Sequence, residues 1–491
     1  MCQRFQKLQS IIVFTICTIF GVSSNTFSNS ALKYSIERIV HADVKYDLFS
    51  GAILVAKEGE IIYSGAFGFE NKKKNIPNKL TTKFSLGSIG KTFTAILILQ
   101  LVETGQIKLS DMIDKYLPDF PHPERSKIQI FHLLTHSSGL GNYFGHKDYE
   151  SRMHSLRNIN DALPLVYDQK LLFQPGEKFH YSNSGMLILG AIIEKVSGIS
   201  YKEFLKKQIL IPVGMNNSGI FYSEEVVANR AIGYSKIEED NYKVETKREF
   251  PAFSDGGLYS TVEDMLKYDR ALYNDKLLNK KTKEMMFSKT GPNNKYSLGW
   301  EIGSFMGEKF VGHVGGCYGF AADFIRFPEK QFMIIVLSNY TEMGLELAAK
   351  IKQLVLAEGK SNIPLATKYD FNFKKGRNLS EFHKQYEEAV KYFDKNIIGD
   401  APHMPSLFGT ARARIFGQFE IKQALILLDR YLLLGKNKSN RTKAAVWWLK
   451  GQAYEQLDRR VKAIECYEMS LELHSEFKRA KESLQKLNPE K

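Results

Sequence analysis

Cysteine is scarce in this 491-residue chain, with four residues in all. Cys2 and Cys17 fall in the leader-like start, while Cys317 and Cys466 stand far apart. Such spacing builds no disulfide framework. C-x-x-C, H-E-x-x-H and clustered histidines are also missing, so the sequence implies neither a metal nor another cofactor. No RNA- or DNA-binding motif accompanies the basic residues, and nucleic acid is not an expected partner. Long hydrophobic runs are absent too. The apolar run Ile11–Val22 falls short of the roughly twenty residues that cross a bilayer.

What is present points to a globular, exported protein. Hydrophobic residues make up 43% and charged residues 25%, the balance of soluble domains. The length exceeds a single core and suits two or three domains. Arg4 and Lys7 precede the short apolar run, and the small, polar stretch SSNTFSNS follows it. That layout predicts a signal peptide over residues 1–24 and a secreted or periplasmic location, with an uncleaved signal anchor tethering the chain as the alternative. The formal charge is +14, of which Lys374–Lys491 supplies +8; this basic excess is read as a solvated helical face.

Three short strings then occur in order: Ser88-Ile89-Gly90-Lys91, Tyr181-Ser182-Asn183 and His313-Val314-Gly315. A serine three residues ahead of a lysine, opening an apolar helical run, puts both side chains on one face. An amine then reaches a hydroxyl that is a poor nucleophile at its own pKa. Each string alone is weak. Their surroundings are FSLGSIGKTFTAILILQLVETGQIKLSD, FHLLTHSSGL, FQPGEKFHYSNSGMLILGAIIEKVSG, GGLYSTVEDMLKY, YSLGW and GHVGGCYGF. Together these resemble the serine β-lactamase and DD-peptidase superfamily, in the branch of class C β-lactamases and their esterase and D-aminopeptidase relatives. The resemblance covers about Tyr34 to Gly359.

The resemblance implies a nucleophile at Ser88, a proton acceptor at Lys91 and a proton-transfer partner at Tyr181. It implies that Asn183 holds Lys91 and the substrate amide. Gly315 and Gly316 would let substrate lie along a strand edge, and the N–H groups of Ser88 and Gly316 would form an oxyanion hole. His313 stands where many lactamases have lysine. Histidine supplies the positive charge for a substrate carboxylate only in part at neutral pH, which favours esters, amides or D-amino-acid peptides over β-lactams. A literal Lys289-Thr290-Gly291 precedes YSLGW and runs into Pro292-Asn293-Asn294; it is read as a surface turn that mimics the third motif. Thr135, His136 and Ser138 are read as a structural turn.

The expected fold is α+β: an antiparallel sheet flanked by helices, with an all-helical subdomain, followed by an α-helical repeat-like domain. Ser50–Lys57 and Glu60–Phe67 predict a hairpin around Glu58-Gly59. Strands are expected near Ser297–Ile302, Lys309–His313, Phe320–Phe327 and Phe332–Ser338, and a closing helix over Glu342–Glu358. The hydrolase-like domain is placed at 34–359 and the helical one at 376–491, after a polar stretch Asp370–Asn378. In the latter, Trp447, Gly451, Tyr454, Ala463 and Tyr467 have tetratricopeptide-like spacing, with a looser copy at Phe408, Ile415, Ala424 and Leu428. The functional expectation is a secreted serine hydrolase acting through an acyl-enzyme on a small ester, amide or D-amino-acid peptide. The alternatives are a class C-type β-lactamase or DD-carboxypeptidase, and a binding protein that uses the helical repeats. The expected partners are a small-molecule or peptide substrate and a protein or peptide on those repeats.

Overall fold

The computed structural model describes residues 29–221, 226–238, 241–244, 253–341, 343–381, 384–399 and 402–487. The expected signal peptide, 1–24, lies outside the described residues. The chain divides into two compact units, Met1–Leu365 and Ala366–Lys491.

Short, largely apolar runs build the centre of the first unit's sheet. Strands β1 (Gly51–Lys57) and β2 (Glu60–Phe67) form the expected hairpin, and β3 (Tyr296–Ser297), β4 (Trp300–Phe305), β5 (Glu308–Cys317), β6 (Phe320–Phe327) and β7 (Phe332–Ser338) follow late in the chain. Their order across the sheet is β3-β4-β5-β6-β7-β1-β2. Every neighbouring pair is antiparallel. The first hairpin therefore docks on the last strand, from Gly51 opposite Ser338 to Lys57 opposite Phe332.

Successive side chains on a strand point to opposite faces, and here both faces are buried. Ile53, Val55, Ile334 and Val336 pack under a helix over residues 29–45 and under α4 (Met343–Leu356). Ala52, Leu54, Met333, Ile335 and Leu337 face the larger core. That core includes α1 (Gly90–Glu103), α2 (Asn183–Ser197) and α3 (Val262–Tyr273). Ser182 caps α2 by accepting from the Gly185 N–H, and Gly198 ends the helix in the left-handed region at φ 72°. The helix over residues 29–45 had no counterpart in the sequence reading.

The second unit runs α5 (Asp370–Glu381), α6 (Tyr386–Asp394), α7 (Met404–Gly417), α8 (Ile421–Leu434), α9 (Asn440–Gln456), α10 (Arg460–Leu473) and α11 (Lys478–Leu487), each packing on the one before. Two expectations change here. The polar stretch Asp370–Asn378, placed ahead of the helical domain at 376–491, is itself part of α5, on which Phe371 and Leu379 are buried. A solvated helix face and a linker share one composition. Gly451 does let two helices close: a Cβ there would lie 2.2 Å from the Tyr467 ring. Tyr454 and Tyr467 join the apolar cluster there as expected, but its tryptophan is Trp448 rather than Trp447.

Candidate active site

The short strand Phe84–Ser85 leads into one 3-10 turn, Gly87–Ile89, which feeds α1. Ser88 lies in that turn. Gly87 takes φ +51°, and a Cβ on it would meet the Gly316 backbone nitrogen at 2.7 Å. A Cβ on Gly315 would lie 1.9 Å from the Leu86 oxygen. Strand β5 therefore presses its backbone onto the Ser88 turn, an approach only glycine allows. This corrects the reading of Gly315 as a substrate rest: it is buried against the turn, while Gly316 is exposed.

Lys91, in the first turn of α1, is fully buried. Its Nζ donates to Ser88 Oγ at 3.0 Å and to the backbone oxygen of Asp255. Burial lowers the Lys91 amine to about 8, the Asp255 carboxylate opposing that shift. The expected contact with Asn183 is not formed. Asn183 instead donates through its backbone N–H and its side-chain amide to Asn142 Oδ1, both at 2.8 Å. As the first residue of α2 it projects from a different element, with its amide turned to Asn142, and Lys91 Nζ is spent on Ser88 Oγ and the Asp255 carbonyl.

Tyr181 is the third residue at this centre. The Lys91 Nζ lies 5.0 Å from its ring centroid, and burial drives its phenol above the ordinary value despite a hydrogen bond with Ser88. Tyr181 is thus held as a neutral phenol. Behind it runs a chain of hydrogen bonds whose direction is fixed. Ser182 N–H donates to His136 Nδ1 at 3.2 Å, which leaves the proton of a neutral His136 on Nε2. That nitrogen meets Tyr296 Oη at 3.1 Å, and Tyr296 Oη meets His313 Nε2 at 3.1 Å. His313 Nδ1 faces the Val314 carbonyl at 2.6 Å and must donate to it. Both imidazoles are therefore single neutral tautomers joined by the Tyr296 hydroxyl.

This corrects the reading of His313 as a partial cation. Burial and the charge of Lys91 lower its pKa to about 3, and its two ring nitrogens are both occupied. The His136 ring, 4.4 Å from that of Tyr181, also ties the LLTHSSGL turn to the site. Tyr296 was missed in the sequence although YSLGW was noted, since nothing local shows that its hydroxyl joins histidines 160 and 17 residues away.

A cavity of ≈140 Å³ opens beside Ser88, lined by Tyr143, Asn183, Arg230, Asp255 and Gly316 among others. Asp255 escaped the sequence reading because it stands one place before the GGLYST string. Its carboxylate accepts from Tyr143 Oη at 3.1 Å. Burial raises the Asp255 carboxyl, and Lys91 opposes this. The segment Phe221–Pro251, which gives Phe221 and Arg230 to this cavity, lies partly outside the described residues. Lys289 of the literal KTG is exposed on the segment after helix Lys280–Phe287, and lines a different surface cavity. His313, by contrast, lies on β5 beside the Ser88 turn.

Residues 36–357 match the beta-lactamase family. Penicillin-binding protein 4* of Bacillus subtilis (strain 168) is 33% identical over 316 residues, which cover 60% of this chain and 69% of that protein. Among solved structures, a penicillin-binding protein from Bacillus halodurans superposes with a TM-score of 0.60 at 31% identity, covering 64% of this chain and 98% of that one. The octameric penicillin-binding protein homologue from Pyrococcus abyssi gives a TM-score of 0.58 at 29% identity, covering 69% and 80%. The fold, the order of its motifs and these matches agree: the chain belongs to the beta-lactamase family and is a serine hydrolase of the acyl-transfer kind.

Proposed function

We propose that Ser88 is the nucleophile, Lys91 the general base and Tyr181 a proton-sharing phenol in the hydrolysis of a small ester, amide or D-amino-acid peptide. The observation that carries this is the 3.0 Å contact between Ser88 Oγ and a buried amine lowered to about 8. An amine near neutrality can take a proton at working pH and return it. Ser88 Oγ bonds to the acyl carbon, and its proton passes to Lys91 Nζ. The leaving alcohol or amine departs with that proton, and water then attacks the acyl-Ser88 ester. The water's proton returns through Lys91 to Ser88 Oγ as the carboxylic acid leaves. The Ser88 and Gly316 N–H groups, drawn together by the Gly87–Gly316 approach, are assigned to the developing oxyanion.

The relatives named as penicillin-binding proteins favour a second reading, acylation by β-lactams or DD-carboxypeptidase action. The neutral His313 weighs against it, because a substrate carboxylate gains no cation there. Export remains a proposal resting on the N-terminal layout, as does a peptide partner for the tetratricopeptide-like spacing of the helical unit. The deciding experiment is intact-mass labelling with a fluorophosphonate and with a penicillin, followed by turnover of a short-chain nitrophenyl ester. One fluorophosphonate adduct at Ser88 with ester turnover supports the hydrolase reading. An unlabelled, inactive protein ends it.

A further inference from the structure

Asp255 is an unexpected residue to find beside a serine nucleophile. It is 6% exposed, yet it lines the same cavity as Ser88. Its position is fixed from three sides. Its carbonyl accepts from Lys91 Nζ, its carboxylate accepts from Tyr143 Oη at 3.1 Å, and the next residue packs on the nucleophile turn. A Cβ on Gly256 would lie 3.2 Å from the Gly87 carbonyl carbon and 3.6 Å from the Ser88 nitrogen.

Charge accounting then restricts what the cavity accepts. Lys91 must be neutral to take the Ser88 proton, and in that state it no longer offsets the burial that raises the Asp255 carboxyl. The charged form then needs another cation beside it. His313 and His136 cannot supply it, since burial keeps both neutral. The cavity's own cation, Arg230, is half-buried with its guanidinium 3.6 Å from the Phe221 ring centroid. A buried carboxylate is costly unless it is paired, and a substrate that brings a cation to Asp255 supplies the pairing when catalysis needs it.

The geometry points to an ammonium-binding subsite formed by Asp255 and Tyr143, which selects acyl groups carrying a free amine, as in α-aminoacyl amides and esters. This rests on the hydrolase reading of Ser88. Tyr143 holds one carboxylate oxygen, so the ammonium is received in a set orientation, and the carboxylate repels acyl groups that carry an anion.

The test compares kcat/KM for alanine and phenylalanine p-nitroanilides, in both enantiomers, with their N-acetyl and N-succinyl forms. One charge-assisted hydrogen bond predicts a preference for the free amine of about tenfold or more. Asp255→Asn should compress that ratio to within about twofold, and Tyr143→Phe should reduce it part of the way. Fluorophosphonate labelling of each variant at Ser88 reports an intact fold. Should Asp255→Asn fail to label, the wild-type ratio and Tyr143→Phe decide the matter. A wild-type enzyme that prefers N-acetyl or N-succinyl substrates overturns the proposal, as does an undiminished ratio in Asp255→Asn. If the wild type labels at Ser88 and cleaves nitrophenyl esters but no aminoacyl substrate, the subsite is wrong and the hydrolase reading stands. If nothing labels, the hydrolase reading fails first.

Discussion

The two units treat buried cations alike except at one residue. In the helical unit, Arg414 is 7% exposed and bonds to Asp394 at 3.0 Å and Glu420 at 2.8 Å. Lys450, equally buried, bonds to Asp429 at 2.7 Å. In the hydrolase unit, Arg326 is likewise paired with Asp269. Lys91 is the exception, because its hydrogen-bond partners are a hydroxyl and a backbone carbonyl, both neutral. A paired cation keeps its proton, whereas an amine with neutral partners in an apolar setting can release it. The first arrangement serves structure, and the second is the one a general base requires.

The comparison breaks most sharply at Ser88. Ser88→Ala should lower ester turnover on the order of 10⁴-fold or more and abolish fluorophosphonate labelling, with no change in thermal unfolding beyond a few tenths of a kcal/mol. Labelling of the variant at another serine would move the nucleophile elsewhere.

Lys91 tests the cost of an unpaired amine, and the sign matters. Its pKa falls from 10.5 to about 8 on folding, so the folded state disfavours the charged form. That destabilisation is complete below pH 8 and fades as pH rises toward 10.5. Lys91→Met should therefore abolish turnover yet raise stability at pH 7, on the order of 2–3 kcal/mol, with the gain shrinking above pH 8. In the wild type, kcat/KM should rise about tenfold per pH unit up to about pH 8, since only the neutral amine accepts the proton. Chemical denaturation of both proteins at pH 7 and pH 9.5 and one pH–rate profile are sufficient. A flat profile between pH 6 and pH 8 would remove Lys91 from the role of base.

Gly451 tests the helical unit. Gly451→Val pushes a side chain into the Tyr467 ring, and overpacking of this kind costs about 1–3 kcal/mol. Hydrogen exchange should speed up over α9 and α10 while ester turnover stays within about twofold. A parallel loss of turnover would show that the two units depend on one another.

How much of this was legible follows from where each signal lives. The sheet could be read because its strands are short apolar, β-branched runs and its hairpin carries Glu58-Gly59, both local properties. Ser88 and Lys91 could be read because one helical turn joins them. Asp255, Tyr143 and Tyr296 could not, since their partners lie 164, 112 and 160 residues away and no periodicity connects such distances. His313 was found by its string, but its charge was misjudged. Residue type sets the ordinary titration range, and burial beside Lys91 decides the actual one. Trp447 and Trp448 differ by one position, a 100° step on a helix, and sequence spacing did not resolve which of them faces the neighbouring helix.

The smallest expected effect belongs to Lys289, and it sharpens the choice between two candidate third motifs. The string Lys289-Thr290-Gly291 matches the lactamase pattern better by letter than His313-Val314-Gly315 does. Yet Lys289 is exposed, and Thr290 is engaged with Ser297 Oγ at 2.9 Å. An exposed lysine on a turn is worth within about 0.5 kcal/mol and touches no part of the Ser88 cavity. Lys289→Ala should leave kcat/KM for esters, the rate of penicillin labelling and the unfolding midpoint all unchanged within error. Tyr296→Phe is its counterpart on the other side. It removes the hydroxyl joining His136 to His313 and leaves a buried N–H donor and a ring nitrogen without their partner, a loss of about 1–3 kcal/mol. If Lys289→Ala impairs turnover while Tyr296→Phe does not, the third motif lies on the turn and β5 is only its scaffold.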